Sequence, residues 1–104
     1  MEIVVIDTFV VPGESRTAFL ETSGAIQAVI KTLPGFVEGY IYERTAGDAR
    51  HNLVTTAVWT DEDAFEGAKK EIPARLRALG INPQETMKAL DVHLERGLYT
   101  RLPY

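Results

Sequence analysis

Residues 3–11 read Ile-Val-Val-Ile-Asp-Thr-Phe-Val-Val, and this stretch decides the fold. Apolar residues occupy both alternating sets of positions, with Ile3, Val5, Phe9 and Val11 in one set and Val4, Ile6 and Val10 in the other. Because successive side chains of a strand point to opposite faces, such a β-branched run is typical of a central strand that is covered on both sides. Pro12-Gly13 ends the strand.

An amphipathic helix and two further strands are predicted to follow. The helix spans about residues 14–33; its apolar side carries Phe19, Ile26, Ile30 and Leu33, and its polar side carries Glu14, Arg16, Glu21, Gln27 and Lys31. Pro34-Gly35 ends it. The second strand covers about residues 36–45, with Phe36, Tyr40 and Tyr42 on one face, and the third covers about residues 51–59, with Leu53, Ala57 and Trp59 on one face.

The rest of the chain predicts a second helix and a last strand. Residues 60–63, Thr-Asp-Glu-Asp, supply an N-cap and an acidic first turn. We expect this helix to break or bend at Pro73, and a short helical turn to begin after Asn82. The last strand is expected over about residues 89–102, with a bulge at Gly97.

The order strand-helix-strand-strand-helix-strand is the split βαβ arrangement. The sequence therefore predicts the α+β class, with a ferredoxin-like βαββαβ fold and an antiparallel sheet in one domain over residues 1–104. The chain has helices enough to cover only one face of that sheet, although its first strand is apolar on both faces. A second copy of the chain is the simplest cover for the other face, so a homodimer is predicted.

Composition limits the partners. The 104 residues carry a net charge of −4 and the pI is about 5.1, whereas nucleic acids and anionic membranes select basic surfaces. The chain has no cysteine, which excludes disulfides and thiolate metal sites. It begins with strand-like residues rather than a leader, and no apolar stretch approaches the roughly 18 residues of a membrane span. We expect a soluble, cytoplasmic protein with no nucleic-acid and no membrane partner.

Motifs for metal or nucleophilic chemistry are weak. Asp91, His93 and Glu95 share one face of the last predicted strand, which could begin a metal site, but a polar row on a solvated strand is the more common case. No serine stands in a Gly-x-Ser-x-Gly turn, and the glycines are too scattered for a phosphate-binding loop. No metal site is predicted.

Three positions depart from the local pattern, and such positions are often functional or strained. Asp7 interrupts an apolar strand, where a carboxylate needs a cation, titrates or lines a wet cavity; a pocket residue and a paired structural acid are equally good interpretations. Trp59 closes the third strand, either as a core residue or as the aromatic wall of a pocket. Thr55 lies on the same strand face, either as an ordinary strand threonine or as a hydroxyl beside that wall.

Three segments carry a family resemblance: Phe-Val-Val-Pro-Gly-Glu at 9–14, Leu-Pro-Gly-Phe-Val at 33–37, and Leu-Val-Thr-Thr-Ala-Val-Trp-Thr-Asp-Glu-Asp-Ala-Phe at 53–65. They resemble the antibiotic biosynthesis monooxygenase family over roughly residues 3–68. The resemblance implies a small dimeric α+β barrel, in which the sheets of two subunits pack face to face and each subunit holds a pocket between its sheet and its helices. Similar barrels oxidise, degrade haem, isomerise or only bind their ligands.

The resemblance also bears on site residues and cofactors. Quinone-forming members of the family oxidise electron-rich polycyclic phenols with O₂ and without metal or flavin, because the substrate itself supplies the electrons. The asparagine and tryptophan that such members carry on the third strand fall here on Thr55 and Trp59, so the tryptophan matches and the asparagine does not. Haem-degrading members carry a histidine on the following helix, and residues 61–80 contain none. Haem degradation is therefore not expected, and no cofactor is predicted.

Residues and resemblance together predict a homodimeric barrel that binds a small aromatic or phenolic molecule. The first hypothesis is a cofactor-independent monooxygenase, with Asp7 or His93 as the proton acceptor and Thr55 as the hydrogen-bond donor to the developing oxyanion. In that hypothesis the residues that contact the substrate are Trp59, Phe9 and Tyr40. The alternatives are a non-catalytic binding protein or structural dimer, in which Asp7 is a paired acid, and an isomerase or cyclase. Convergence of Asp7, Thr55, Trp59 and His93 on one cavity would favour an enzyme.

Overall fold

A computed structural model describes residues 1–104, and its elements follow the predicted order. They are β1 (Ile3–Val10), α1 (Arg16–Ile30), β2 (Phe36–Glu43), β3 (Leu53–Trp59), α2 (Glu62–Ala78), α3 (Pro83–Ala89) and β4 (His93–Tyr99), with one 3-10 turn at Gly13–Ser15. The four strands form a single sheet in the order β2-β3-β1-β4, and every neighbouring pair is antiparallel. The predicted ferredoxin-like α+β fold is confirmed.

The strand β1 is central, as its two apolar faces predict. It pairs with β3 on one side and with β4 on the other, over nearly its whole length. Along β1 the burial alternates, and Val5, Asp7 and Phe9 are the buried residues, on the face that the helices cover. The register places Thr55 of β3 and Arg96 of β4 opposite Asp7, so these three side chains share the helix-covered face.

Two apolar clusters hold the helices on this face. One is built around Trp59 and contains Val5, Leu33, Ala57, Phe65 and Ala68. The other joins Phe9, Val11, Phe19 and Leu53, and its Phe9 and Phe19 rings meet edge-to-face with their centroids 4.8 Å apart. A fully buried side chain of this size stabilises the fold by about 1.5–3 kcal/mol, so these clusters fix the positions of α1 and α2 on the sheet.

A β-bulge in β2 changes which face its side chains occupy. Phe36 pairs with Trp59 and Glu38 pairs with Val58, so Val37 is an extra residue opposite this step. Phe36 therefore lies on the helix-covered face, with its ring centroid 5.7 Å from that of Trp59. Tyr40 and Tyr42 lie on the opposite face. The prediction that Phe36 shares a face with these tyrosines is wrong, because simple alternation does not anticipate an inserted residue.

The second half of the chain differs from the prediction in three ways. The last strand is shorter than the predicted 89–102, because α3 extends to Ala89, Asp91 turns the chain with a φ of 56°, and β4 covers only His93–Tyr99. The predicted break at Pro73 does not occur, because α2 runs without interruption from Glu62 to Ala78. The strand β4 has no bulge at Gly97, because its register with β1 is continuous. The glycine is instead covered by the ring of Tyr99: a Cβ atom there would lie 2.5 Å from the ring carbon Cε1.

One side chain joins the end of β1 to the hairpin between β2 and β3. The Asn52 amide accepts a hydrogen bond from the Val11 N–H at 2.8 Å and donates one to the Val11 carbonyl at 2.9 Å. The Asn52 backbone N–H also donates to the Phe9 carbonyl. The side chain thus extends the β1–β3 ladder beyond the last residue pair of the sheet.

We expect Asn52→Ala to lower the free energy of unfolding by about 1–3 kcal/mol, because it leaves both half-buried polar groups of Val11 without partners. Urea denaturation measures the loss. Asp48→Ala, in the exposed loop of the same hairpin, is the matched control and should change stability by less than about 0.5 kcal/mol. Equal losses in the two variants would contradict the bridging role of Asn52.

Candidate functional site

A cavity of about 390 Å³ lies between the sheet and the helices. It is lined by 21 residues, of which 12 are hydrophobic, and its volume falls in the range of small-molecule sites. The sheet contributes the floor, which includes Val5, Phe9, Ala57 and Trp59. The walls come from α1, α2 and the segment around α3. Because the floor draws on both apolar clusters, the cavity lies where they meet.

The helices line the cavity with one side each. From α1 come Ser23, Ile26, Gln27 and Ile30, whose spacing of three, four and seven residues places them on one side of a helix. From α2 come Phe65, Ala68, Lys69, Ile72, Pro73 and Leu76, and the third wall is formed by Pro83 and Met87. This composition gives a mostly apolar cavity with a smaller number of polar groups, as is usual for small-molecule sites.

An ion pair forms one end of the cavity. The Arg96 guanidinium donates two hydrogen bonds to the Asp7 carboxylate, from Nε to Oδ1 at 2.8 Å and from Nη2 to Oδ2 at 2.9 Å. The Asp7 side chain is 11% exposed and that of Arg96 is 54% exposed. The hydrogen bond to Asp7 raises the pKa of Arg96 above its ordinary value, and this effect outweighs the opposing effect of burial. The guanidinium is therefore a permanent positive charge at this end.

Neither partner of the ion pair uses all of its hydrogen-bonding capacity. A guanidinium has five N–H donors, and Arg96 uses two of them on Asp7. The carboxylate keeps lone pairs that Arg96 does not occupy. Thr55 lies beside this pair and lines the cavity, because it is the direct cross-strand neighbour of Asp7, at a Cα separation of roughly 5 Å.

Trp59 serves the core and the cavity at once. It is 2% exposed, packs edge-to-face against Phe36 and belongs to the larger apolar cluster, yet it also lines the cavity. The two sequence-based alternatives for this residue, core residue and pocket wall, are not exclusive. Phe9 likewise belongs to a buried cluster and lines the cavity.

Two of the predicted site residues are not brought to the cavity. His93 pairs with Val10 at the start of β4, is exposed and lies on the sheet face away from the helices. Tyr40 is 52% exposed on that same face, beside Tyr42. The cavity thus unites Asp7, Thr55, Trp59 and Phe9, and it excludes His93 and Tyr40.

The polar row considered for a metal does not form. Asp91 precedes β4 in a turn with a φ of 56°, so it does not continue the strand that carries His93 and Glu95. No three His, Asp or Glu side chains gather as potential metal ligands anywhere in the chain. No helix combines the length and the apolar character needed to cross a membrane.

Sequence reasoning missed five polar residues of the cavity: Ser23, Gln27, Thr56, Lys69 and Arg96. Arg96 is recognisable only once the β1–β4 register is known, because nothing in its local sequence marks it as the partner of Asp7. Gln27 was assigned to the polar side of α1, but its side chain is buried and lines the cavity. Its spacing of four residues from Ser23, and of three from Ile30, was the available signal.

The chain belongs to the antibiotic biosynthesis monooxygenase family, whose model matches residues 2–72. The family predicted from the sequence is therefore confirmed. One similar solved structure is SnoaB, a cofactor-independent oxygenase from Streptomyces nogalater. It is 28% identical to this chain over 99% of this chain and 95% of SnoaB, with a TM-score of 0.67.

Two more distant structures show the same fold. Rv0793 from Mycobacterium tuberculosis is 16% identical over 100% of this chain and 98% of its own, with a TM-score of 0.74. A dabb family protein with a ferredoxin-like fold from Mesorhizobium loti is 9% identical over 97% of each chain, with a TM-score of 0.69. No curated protein sequence matches this chain.

We expect Arg96→Met to lower the free energy of unfolding by about 1–3 kcal/mol, because it leaves the Asp7 carboxylate on an apolar wall without its cation. The half-exposed position of Arg96 keeps the loss below that of a fully buried pair. Urea denaturation of Asp7→Val, Arg96→Met and the double variant measures the free energy of unfolding of each and so completes a double-mutant cycle. The double variant should lose less than the sum of the single losses.

The exposed ion pair between Arg16 and Glu43 is the matched control, since it has the same bidentate geometry without the burial. Arg16→Met should therefore destabilise the protein less than Arg96→Met. Strictly additive losses in the Asp7–Arg96 cycle would contradict the coupling of the two residues.

Proposed function

We propose that this protein is a cofactor-independent oxygenase that oxidises a phenolic aromatic molecule in the cavity. The observation that carries the proposal is the meeting of Asp7, Thr55 and Trp59 in a single, mostly apolar enclosure. The likeness to SnoaB, itself a cofactor-independent oxygenase, supports the same class of reaction.

The cavity suits a ring system with a polar group at one end. The apolar floor and walls remove the aromatic surface from water, which is the main source of binding free energy for such a ligand. The phenolic oxygen would then lie against the Asp7–Arg96 pair and the Thr55 hydroxyl, the polar groups at that end of the cavity. The contact of the phenolic oxygen with Asp7, Arg96 and Thr55 would thus fix the orientation of the ring.

In the proposed reaction Asp7 accepts the proton of a phenolic or enolic O–H through a lone pair that Arg96 leaves free. The negative charge that develops on the substrate oxygen is stabilised by a free N–H of Arg96 and by the Thr55 hydroxyl. The electron-rich anion then reduces O₂ directly. His93 has no part in this scheme, because it lies on the other face of the sheet.

Atoms and electrons balance without an external reductant. With an anthrone as substrate, the ring methylene loses two hydrogens, one oxygen atom of O₂ becomes the new quinone carbonyl, and the other leaves as water. The apolar walls cover the ring system, while the half-exposed Arg96 supplies a permanent positive charge beside the anion.

A second candidate function is binding without turnover, and one observation favours it. Both carboxylate oxygens of Asp7 already accept hydrogen bonds from Arg96, as they would in a paired structural acid. In that case the cavity would hold an aromatic molecule and Asp7 would only fix Arg96. Turnover separates the two candidates.

The test uses dithranol, a dihydroxyanthrone, in air-saturated buffer without added cofactor. We expect O₂ uptake and formation of the dihydroxyanthraquinone well above the uncatalysed rate. Asp7→Asn should lower kcat by about 100-fold, the range for loss of a general base, and Thr55→Val by roughly 10- to 100-fold. An oxygen electrode and quinone absorbance give both rates.

Asp48→Asn is the matched control, because it makes the same substitution in the exposed loop between β2 and β3, away from the cavity. It should leave kcat unchanged. Binding of dithranol without turnover would favour the binding protein, and an Asp7→Asn variant as active as the parent would remove Asp7 from the mechanism.

We further propose that the active form is a homodimer joined through the sheet face opposite the helices. That face carries apolar and aromatic side chains: Val4, Ile6, Val10, Tyr40, Tyr42, Val54 and Tyr99. The three tyrosines are each about half exposed in the single chain. Apolar and aromatic side chains grouped on one exposed face are typical of a protein–protein interface.

We expect sedimentation at micromolar concentration to show a dimer, and Ile6→Lys to give a monomer, because a lysine at the centre of the face places a charge in the interface. Leu79→Lys, at an exposed position after α2, is the matched control and should remain dimeric. A stable monomer of the unmodified protein would refute the dimer.

A further inference from the structure

The entrance of the cavity carries two positive side chains. Lys69 of α2 and Arg96 of β4 both line the cavity, and their side chains are 48% and 54% exposed. A side chain that lines a cavity and also reaches solvent stands at the opening. Leu94, on the same face of β4 as Arg96, is likewise half-exposed and lines the cavity. The opening therefore lies between α2 and β4, and an entering ligand passes both cations.

Two contacts hold the Lys69 ammonium at the wall of the cavity. Its Nζ lies 5.1 Å from the centroid of the Phe65 ring, and Phe65 is a buried residue that lines the cavity one helical turn earlier. Nζ also lies 2.9 Å from Oε1 of Glu66, an exposed residue outside the cavity lining. An ammonium has three N–H donors, so the contact with Glu66 leaves two of them for a ligand.

The charge of the cavity lining differs in sign from that of the whole protein. The chain carries a net charge of −4, but the charged residues that line the cavity are two cations, Lys69 and Arg96, and one carboxylate, Asp7. Because Asp7 is paired with Arg96, Lys69 has no counter-ion within the lining. A negatively charged group on the ligand would supply one, and complementary charge of this kind favours the matching ligand over neutral ones.

The position of Lys69 at the entrance suits a carboxylate better than a position deep in the cavity would. A carboxylate that is buried among apolar side chains loses its hydration, and attraction to one cation often fails to offset that loss. At the half-exposed entrance the carboxylate keeps part of its water, while the ring system of the same ligand lies on the apolar floor. The cavity thus fits a ligand with one apolar end and one anionic end.

We propose that Lys69 is a specificity-determining residue that pairs with a carboxylate of the ligand at the entrance of the cavity. The inference rests on the proposed function, in which the phenolic oxygen lies at Asp7 and Arg96. It adds that the ligand is an aromatic acid whose carboxylate is directed toward α2 and solvent. Aromatic molecules of the same shape without the negative charge would bind less tightly.

The experiment compares two probes of nearly the same shape, 6-hydroxy-2-naphthoate and 6-hydroxy-2-naphthamide, at neutral pH. Both carry the same ring system and phenol, but only the first has a negative charge. We expect the unmodified protein to bind the naphthoate about fivefold more tightly in calorimetric titration at low salt, which is about 1 kcal/mol and the upper range for partly exposed ion pairs. In about 0.5 M NaCl the preference should fall below twofold, because salt screens exposed charges.

Lys69→Met should abolish the preference, and Lys69→Arg should keep it. Lys70→Met is the matched control, because it removes the same charge from the next residue, which is exposed and does not line the cavity. It should keep the full preference. Glu66→Gln should raise the preference, since it removes the carboxylate that competes for the ammonium. All four variants should fold, because the three positions are exposed on α2 and the new residues are good helix formers.

The outcomes separate this inference from the function on which it rests. Equal binding of the two probes by the parent, or a preference that survives in Lys69→Met, would overturn the role of Lys69 while the aromatic site stands. An equal loss of preference in Lys70→Met would also overturn it, by attributing the preference to the net charge of the protein. Failure of the parent to bind either probe would overturn the aromatic site and the role of Lys69 together.

Discussion

A carboxylate in the middle of the central strand is the constraint on which the rest of the structure depends. Asp7 stands in an otherwise apolar run, on the face that the helices cover, and it is stabilised there by Arg96 from the neighbouring strand. A shift of one residue between β1 and β4 would place Glu95 or Gly97 opposite Asp7 instead. The first would add a like charge and the second would offer no side chain, so the ion pair selects the register of the sheet.

The same pair gives the cavity its polarity. Because β1 is central, its charged residue lies under the helices rather than at the rim of the sheet. The apolar clusters around the ion pair stabilise the fold and also line the cavity. Trp59 does both, since it belongs to the larger cluster and lines the cavity.

The sequence predicted those features that depend on local pattern. The two-sided apolar run identified β1 as central, and the break in that run identified Asp7. Strand alternation from Trp59 led to Thr55. The features that the sequence did not predict depend on how strands pair. The partner of Asp7 follows from the β1–β4 register. The face that Tyr40 occupies follows from a bulge in β2 that strand alternation does not reveal. Gln27 was misplaced because a polar residue on an amphipathic helix is usually on the solvent side.

The bulge in β2 also governs how this strand can change in evolution. Val37 is the extra residue opposite the Trp59–Val58 step, so substitutions at this exposed position leave the pairing intact. Its deletion would restore simple alternation and force a choice between the two halves of the strand. Either Phe36 would turn away from Trp59, or Tyr40 and Tyr42 would turn toward the helices. Position 37 therefore tolerates different residue types, but a residue must be present there. Natural variants should carry substitutions at this position and no deletions.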